Sequence, residues 1–269
     1  MVNRAFEAYY RNIYGSRWEA LRQALTETPE PFLYTEGLQL PYPLDRSSVL
    51  AAGELRLGGA GLILDACAAP GGKSLVIASR MGEEHRLLAN EPSNERRRRL
   101  VTVLDSHLSA EKRALVRVSG FNAAALAGKQ GEHGRFAAIL LDAPCSGERH
   151  IVQSEKYLAQ WTEARPRSLA VRQWALLSAA FLLLRENASL VYATCSLNPI
   201  ENDGVVSRLL KKYGGAVLDR PDFSDGEATE YGRIILPDTA DGRGPLYVAR
   251  FLKEPGISRN HPRGSFISR

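Results

Sequence analysis

The chain has 269 residues, of which 44% are hydrophobic and 24% charged, a balance typical of globular proteins long enough to bury a substantial core. Its longest apolar stretches, such as residues 175–184, are well short of the roughly 20 residues that cross a bilayer, and its N-terminal residues lack the apolar core of a secretory signal, so we expect a cytoplasmic protein without membrane contact. The formal net charge of +5 is compatible with a phosphate-rich partner but is not specific for one.

The N-terminal residues predict a small helical extension and an irregular connector. Apolar side chains between Phe6 and Leu25 recur at helical spacing, with Gly15 as a break. Prolines at positions 29, 31, 41 and 43 then oppose both helix and inner strand. We therefore divide the chain into an extension and connector (1–50), a main domain (51–252) and a basic tail (253–269) that we expect to be mobile.

From residue 58 the chain alternates short apolar runs with helical stretches. The predicted strands are 61–66, 86–90, 114–118, 136–141, 189–193 and 245–252, and the predicted helices are 73–80, 93–104 and 168–184. Such alternation implies right-handed crossovers, so we expect an α/β fold with a mostly parallel sheet covered on both faces.

A glycine-rich segment, Asp65-Ala-Cys-Ala-Ala-Pro-Gly-Gly-Lys-Ser74, leads from the first of these strands into a helix, where α/β sheets bind nucleotide-like ligands. Gly71 and Gly72 allow backbone amides to approach such a ligand beside a helix N-terminus. A phosphate-binding P-loop is an alternative, but its pattern requires glycine where Cys67 stands, and Pro70 stiffens the loop. A glycine-rich turn without a ligand is the other alternative.

An acidic residue and a run of arginines follow the second main-domain strand. Glu91 lies about 20 residues beyond the glycines, the separation at which a carboxylate binds the hydroxyls of an adenosine ribose. A lone acid at a strand end is more often solvated, so this interpretation depends on the glycine segment. The four arginines 96–99 spread around the next helix, so we expect most to be solvated, Arg96 to face the ligand, and others to be available to phosphates.

The three cysteines are far apart and form no CxxC pair, so no metal site is expected and each is a separate thiol. Cys145 follows one strand in Leu-Asp142-Ala-Pro-Cys-Ser, and Cys195 follows another in Ala-Thr-Cys-Ser, so both lie at the sheet edge that the glycine segment shares. A single strand-end cysteine is more often a buried filler residue. Two at equivalent strand ends, one beside Asp-x-Pro, favour a chemical role.

Three segments, DACAAPGGKS, LLDAPCSG and YATCSLNPIEN, closely resemble the Sun or Fmu type of RNA cytosine-5 methyltransferases. The resemblance runs from about Tyr42 to Leu252 and is strongest to the compact branch that includes the mitochondrial ribosomal-RNA enzyme. It implies that residues 51–252 form a Rossmann-like class I methyltransferase domain that depends on S-adenosylmethionine. It further implies a seven-stranded sheet with an antiparallel final strand and no additional RNA-binding domain.

The resemblance also implies roles for four side chains. Carbon 5 of cytosine accepts a methyl group only after a thiolate adds at carbon 6, and the resemblance assigns this attack to Cys195. Asp142 is implied to hold or protonate ring nitrogen 3, and Cys145 to help expel the thioether after methyl transfer. Lys73 on the same edge is expected to lower a thiol pKa or to orient Asp142.

The implied S-adenosylmethionine site combines the glycine segment with side chains from later strand ends: Cys67, Ala68, Ala69, Pro70, Gly71, Gly72, Lys73, Glu91, Arg96, Asn122 and Asp142. Two departures from the family pattern stand out. Asn122 replaces an aspartate that reads the adenine amino group, so we expect adenine binding to survive with altered strength. Residues 185–189 replace a Pro-Gly-Gly turn, where we expect a local change with little functional cost.

The leading hypothesis is a monomeric enzyme that methylates carbon 5 of cytosine in RNA, with ribosomal RNA ahead of transfer RNA. A methyltransferase acting on a small molecule or a protein is a second hypothesis, which the paired cysteines oppose. A third is an RNA-binding ribosome-assembly factor whose methylation is dispensable. Four N-terminal arginines are compatible with RNA contact in either RNA-dependent hypothesis: Arg4, Arg11, Arg17 and Arg22.

Overall fold

The computed structural model describes residues 3–128 and 132–255, so residues 256–269 of the predicted tail lie outside the described residues. The chain begins with two short helices, continues through a hairpin, and reaches the main sheet after a third helix. These elements are α1 (Arg4–Tyr14), α2 (Trp18–Ala24), β1 (Phe32–Tyr34), β2 (Tyr42–Leu44) and α3 (Arg46–Gly53), with a 3₁₀ turn at Gly15–Arg17 between α1 and α2.

Five parallel strands form the centre of the main sheet, in the order β5, β4, β3, β6, β7. They are β3 (Gly61–Asp65), β4 (His85–Asn90), β5 (Val116–Ser119), β6 (Phe136–Asp142) and β7 (Leu184–Thr194). The final strand β11 (Leu246–Lys253) runs antiparallel to β7, with Tyr247 opposite Thr194. The predicted α/β class, with a mostly parallel sheet and an antiparallel final strand, is confirmed.

The sheet has nine strands within the described ranges, not the seven expected. The additional short strands lie around β11: β8 (Ala216–Leu218), β9 (Glu227–Ala228) and β10 (Arg233–Ile235). β8 and β10 both pair antiparallel with β11, and β9 pairs with β10. Strands of two or three residues are too short to produce an alternating apolar pattern, which is why the sequence did not reveal them.

Helices cover both faces of this sheet. They are α4 (Gly72–Arg80), α5 (Asn94–His107), α6 (Ala110–Ala114), α7 (Ala123–Leu126), α8 (Glu148–Val152), α9 (Glu155–Ala159), α10 (Ala164–Leu183) and α11 (Asp203–Lys212). One core contains Leu75 of α4 and Leu100 of α5, and the other contains Leu177 of α10 and Leu209 of α11. Because β6 is buried on both faces, its sequence is a continuous apolar run.

The N-terminal helices belong to the second of these cores. Phe6, Tyr10 and Trp18 are fully buried, and the ring of Phe6 meets that of Trp161 edge to face, with centroids 5.2 Å apart. The proposed boundary at residue 50 falls within α3. The division into domains stays a prediction. No helix among the described residues is both long enough and apolar enough to span a bilayer.

The stretch 185–189 forms an irregular start to β7. Phe136 pairs with Leu184 and Ala138 with Ser189, so β7 contains additional residues over a short length of β6. Asn187 adopts a φ of +59°, a left-handed conformation that asparagine tolerates better than most residues. The expected local change is thus a bulge, and it lies at the opposite end of β7 from Cys195.

Candidate active site

The glycine loop after β3 depends on the backbone freedom of Gly71. This residue has a φ of +126°, and a Cβ atom there would lie 2.9 Å from Cγ1 of Val103. Helix α4 begins at the next residue, so its free amide groups lie at the loop. Glycine at this position therefore allows the loop to pack closely against α5.

Asp65 ends β3 and is fully buried. Its Oδ2 accepts a hydrogen bond of 2.6 Å from the Ser74 hydroxyl, while its Oδ1 has no partner within the described part of the chain. Burial raises the pKa of Asp65 to about 7. It contributes, with loop residues Ala68, Ala69 and Pro70, to a small cavity of about 230 Å³.

A second cavity, of about 400 Å³, lies between the glycine loop and the ends of β4 and β5, and we call it the cofactor cavity. Its wall includes Cys67, Glu91, Arg96 and Asn122. Glu91 is almost fully buried, accepts a bond from the Ser93 amide at 2.9 Å and lies 3.1 Å from the Arg96 guanidinium. Each of its oxygens retains capacity for another donor.

Arg96 and Asn122 also make contacts that shape the cofactor cavity. Arg96 donates to the carbonyl of Ala69 at 2.9 Å, and it thereby joins α5 to the glycine loop. Asn122 accepts from the Ala124 amide at 3.1 Å as the N-cap of α7. Burial raises the pKa of the Cys67 thiol to about 12, so this cysteine is an unreactive wall residue.

All four predicted catalytic side chains line a third cavity of about 440 Å³, which we call the thiol cavity. Lys73, Asp142, Cys145 and Cys195 all contribute to its wall. Cys67, Arg96 and Pro144 line both this cavity and the cofactor cavity, so the two adjoin. A group bound in one cavity can therefore reach a group bound in the other.

The two thiols of this cavity lie side by side. The Sγ atoms of Cys145 and Cys195 are 2.7 Å apart, and the Cys195 amide donates to the Cys145 sulfur at 3.2 Å. Cys195 is exposed and Cys145 is half-buried. The hydrogen bond with Cys195, together with burial, raises the pKa of the Cys145 thiol well above its ordinary value. Cys145 therefore retains its proton, and Cys195 is the accessible sulfur.

Lys73 and Asp142 form an ion pair in the same cavity, with 2.7 Å between Nζ and Oδ2. Burial alone would lower the pKa of Lys73, but the Asp142 carboxylate outweighs this effect and raises it above its ordinary value. Lys73 thus stays charged and orients Asp142. Of the two roles expected for Lys73, this geometry favours the second.

Two buried glutamates near the thiols were not among the predicted site residues. Glu148 and Glu201 are both fully buried and bind the residues that follow the two cysteines, Ser146 and Ser196. Helix α1 reaches the same region, because the Tyr10 hydroxyl donates to Glu148 at 2.5 Å and the Tyr14 hydroxyl donates to the Leu197 carbonyl at 2.6 Å. Polar side chains this far apart in sequence carry no local pattern that indicates their contact.

Three of the four N-terminal arginines are held in intramolecular ion pairs. Arg17 contacts both Glu227 and Asp238 at 2.6 Å, Arg22 contacts Glu7 at 3.0 Å, and Arg11 pairs with Glu19. Arg4 is exposed. Because pairing offsets their charge, these arginines are weaker candidates for phosphate contact than their sequence positions indicated.

The family described as 16S rRNA methyltransferase RsmB/F matches residues 54–252. A ribosomal RNA small subunit methyltransferase F from Erwinia tasmaniensis is 37% identical over 224 residues, which make up 80% of this chain and 45% of that protein. The chain thus spans less than half the length of this relative.

Two solved structures share the fold. The structure of NSun6 from Pyrococcus horikoshii, solved with SFG, has a TM-score of 0.66 at 24% identity. The match covers 82% of this chain and 55% of the NSun6 chain. A methyltransferase homolog protein from the same organism has a TM-score of 0.73 at 21% identity, covering 92% of this chain and 94% of its own.

Proposed function

Because the chain belongs to the 16S rRNA methyltransferase RsmB/F family, we propose that it transfers a methyl group from S-adenosylmethionine to carbon 5 of a cytosine in ribosomal RNA. The observation that carries this proposal is the pair of thiols 2.7 Å apart in a cavity that adjoins the glycine loop. A nucleophilic thiol beside a second thiol suits a reaction in which a covalent bond to the substrate is first made and then broken.

The cofactor cavity has the donor and acceptor groups that S-adenosylmethionine requires. Glu91 would accept from the ribose hydroxyls, and Asn122 would bind the adenine. When bound, S-adenosylmethionine supplies the electrophilic methyl group. In support, the NSun6 relative was solved with SFG, an analogue of this cofactor.

In the first step the Cys195 thiolate adds to carbon 6 of the cytosine, and the electrons of the 5,6 double bond move towards carbon 5 and the ring. Asp142, oriented by Lys73, lies on the same cavity wall, and its carboxylate would accept a hydrogen bond from ring nitrogen 3 once that nitrogen has taken up a proton from solvent. The positive charge of Lys73 offsets the electron density that the attack pushes onto the base. Carbon 5 thereby becomes nucleophilic enough to take the methyl group.

In the last step the bond between Cys195 and carbon 6 must break while carbon 5 loses its proton. The Cys145 thiol gives its proton to the departing Cys195 sulfur and receives the proton from carbon 5. The electron pair of the broken C–H bond restores the 5,6 double bond, and the pair of the C–S bond returns to sulfur. The short distance between the sulfurs makes this exchange direct.

Trapping of the intermediate tests these roles. We expect Cys145→Ala to accumulate a covalent protein–RNA adduct that survives denaturing electrophoresis, because the attack proceeds and the release does not. Cys195→Ala should give neither adduct nor methylation, whereas the wild-type protein, as the control, should methylate the RNA without accumulating the adduct. An adduct formed by Cys195→Ala would show that the two cysteines have the opposite roles.

The identity of the RNA is a separate experiment. Bisulfite sequencing of total RNA from cells with and without the gene should reveal one or a few cytosines in small-subunit ribosomal RNA whose 5-methylation depends on this protein. The names of the relatives support this substrate. Loss of 5-methylcytosine from transfer RNA alone would contradict it.

A further inference from the structure

Each of the two cysteines is followed by a serine, and these serines meet on the buried side of the thiols. Ser146 and Ser196 are almost fully buried, and their hydroxyl oxygens lie 2.9 Å apart. The loops after β6 and β7 are therefore joined directly below the pair of sulfur atoms. We call these two residue pairs, Cys145-Ser146 and Cys195-Ser196, the Cys-Ser dipeptides.

Glu148 and Glu201 enclose the Cys-Ser dipeptides from below. Glu148 accepts from the hydroxyls of Ser146 and Tyr10 through Oε1 and from the Leu197 amide at 3.0 Å through Oε2. Glu201 accepts from the Ser146 amide at 2.9 Å and from Gln173 at 2.8 Å through Oε2, and its Oε1 lies 3.0 Å from the Ser196 hydroxyl. Both carboxyl groups are out of contact with solvent.

The contacts in this cluster require one more proton than the hydroxyl groups provide. Four oxygen–oxygen contacts of 3.0 Å or less link Tyr10 to Glu148, Glu148 to Ser146, Ser146 to Ser196, and Ser196 to Glu201. The three hydroxyls donate one proton each. All four contacts are hydrogen bonds only when one of the two carboxyl groups carries a further proton on its Oε1, so that either Glu201 donates to Ser196 or Glu148 donates to Ser146.

Burial and the charge of Glu148 favour a proton on Glu201, because they raise the pKa of Glu201 to about 7. The Ser196 hydroxyl lies 3.2 Å from Glu148 and 3.0 Å from Glu201, so the two carboxyl groups are close neighbours. Two buried carboxylates this close do not both ionise readily, because each destabilises the charge of the other. The pair therefore holds a single negative charge below neutral pH and gains a second above it.

The groups around Cys145 act on its thiol in opposite directions. The Cys195 amide, which donates to its sulfur, favours the thiolate. The hydrogen bond with the Cys195 sulfur and burial raise the pKa of Cys145 well above its ordinary value, and the charges of Glu148 and Glu201 act in the same direction. Lys73, Asp142, Arg149 and His150 line the thiol cavity on its open side, and the Lys73 charge acts on the Cys195 thiolate.

We propose that Glu148 and Glu201 are positioning residues that give the two thiols different roles: their shared negative charge, held below the Cys-Ser dipeptides, helps to keep the proton on Cys145 and leaves Cys195 as the attacking sulfur. This inference rests on the proposed function, in which one thiol attacks and the other transfers a proton. Neither glutamate touches the substrate in this scheme; both act through Cys145.

The reactivity of Cys145 alone tests the proposal. The double variant Cys67→Ser, Cys195→Ser retains Cys145 as its single cysteine. The alkylation of Cys145 by iodoacetamide can then be followed by mass spectrometry from pH 6 to 11. Adding Glu201→Gln keeps the shape of the protonated glutamate and removes the charge gained above neutral pH. We expect the midpoint of alkylation to fall by about one pH unit.

The matched control is Glu95→Gln, which removes an exposed carboxylate on α5 and should leave the midpoint unchanged. A purely structural role for Glu201 would alter the alkylation rate at every pH without moving the midpoint, and that outcome overturns the proposal. Should Glu201→Gln not fold, as judged by circular dichroism, Glu148→Gln supplies the same test with the same expected shift. The assay uses neither RNA nor S-adenosylmethionine, so its result is independent of whether the adduct experiment succeeds.

Discussion

Asp65 combines complete burial with a carboxylate oxygen that has no hydrogen-bond partner in the described ranges, so ionisation of this residue is unfavourable in the folded protein. Its pKa is raised from 3.8 to about 7. A raised folded-state pKa contributes stability that is fully present below the unfolded-state value and is lost as the pH rises through 7. The structure therefore predicts that Asp65 lowers the free energy of unfolding increasingly as the pH rises through 7.

We expect the free energy of unfolding of Asp65→Asn, taken relative to the wild-type protein, to increase as the pH rises from 5 to 8. The increase over this range should be up to about 3 kcal/mol. Urea denaturation at a series of pH values measures this difference, and comparison with the wild type cancels the parallel contribution of Glu201. The control is Glu95→Gln on the exposed surface of α5, whose stability difference from the wild type should stay constant over this pH range. A flat difference for Asp65→Asn as well would mean that Asp65 is not the group that titrates.

At the scale of single residues, the sequence predicted the side chains whose positions follow from a strand end. Asp142, Cys145 and Cys195 lie at or shortly after one, Lys73 lies in the first turn of the helix that follows the glycine loop, and the structure gathers all four in one cavity. Glu148 begins the short helix α8 and Glu201 lies in the turn before α11, and their burial depends on partners in α1 and α10 that no local pattern reveals. Their proximity arises from tertiary packing, which a single sequence does not display.

At the scale of elements, the docking of α1 depends on its first capping residue. Asn3 accepts from the Phe6 amide at 3.1 Å, and its amide nitrogen also donates to the carbonyls of Leu158 at 2.8 Å and Trp161 at 3.2 Å. The Asn3 side chain thus caps the start of α1 and also attaches this helix to the segment around α9. An ordinary N-cap performs only the first of these tasks.

We predict that Asn3→Ala lowers the free energy of unfolding by about 2 to 3 kcal/mol, the sum of a lost cap and lost tertiary hydrogen bonds. The matched variant is Ser109→Ala, which removes the N-cap of α6 but no such tertiary bond, and it should cost about 1 kcal/mol. Urea unfolding of both variants measures the two losses. Equal losses would mean that the contacts to α9 contribute nothing to stability.

Most of the longer elements were predicted from the sequence, but the ten-residue helix α11 was not, and the eleven-residue β7 begins at Leu184, before the predicted start at 189. The strand predicted at 136–141 is β6, and the helix predicted at 168–184 is the longer α10 (Ala164–Leu183). Helices α8 and α9 have five residues each, too few to establish a helical period. Such elements form because the surrounding structure supplies their contacts.

At the scale of the whole molecule, the positive charge is distributed unevenly around the proposed RNA site. Arg98 and Arg99 are exposed on α5, next to the arginine that lines both cavities. By contrast, α11 ends in Lys211 and Lys212 near the opposite edge of the sheet, where β8 pairs with the end of β11. These two groups of exposed cations differ in position and provide a direct comparison.

We expect the double variant Arg98→Gln, Arg99→Gln to weaken binding of a ribosomal RNA fragment and to reduce the slope of log K against log salt by roughly 1 to 2, because each phosphate contact contributes slightly less than one. The double variant Lys211→Gln, Lys212→Gln removes the same charge and should leave the slope unchanged. Titrations between about 50 and 200 mM salt measure both slopes. The same slope for both variants would place the RNA on another surface.

The contacts of α1 determine the order in which the chain can fold during synthesis. Tyr10 meets Glu148 across 138 residues, and Tyr14 meets Leu197 across 183 residues. On the ribosome, α1 emerges well before Glu148, Trp161 and Leu197, so at first its aromatic side chains can pack against Trp18 of α2 but not against these later partners. The nascent chain therefore exposes an aromatic helix that chaperones can bind, and the loop that carries Cys195 acquires its final support only late in synthesis.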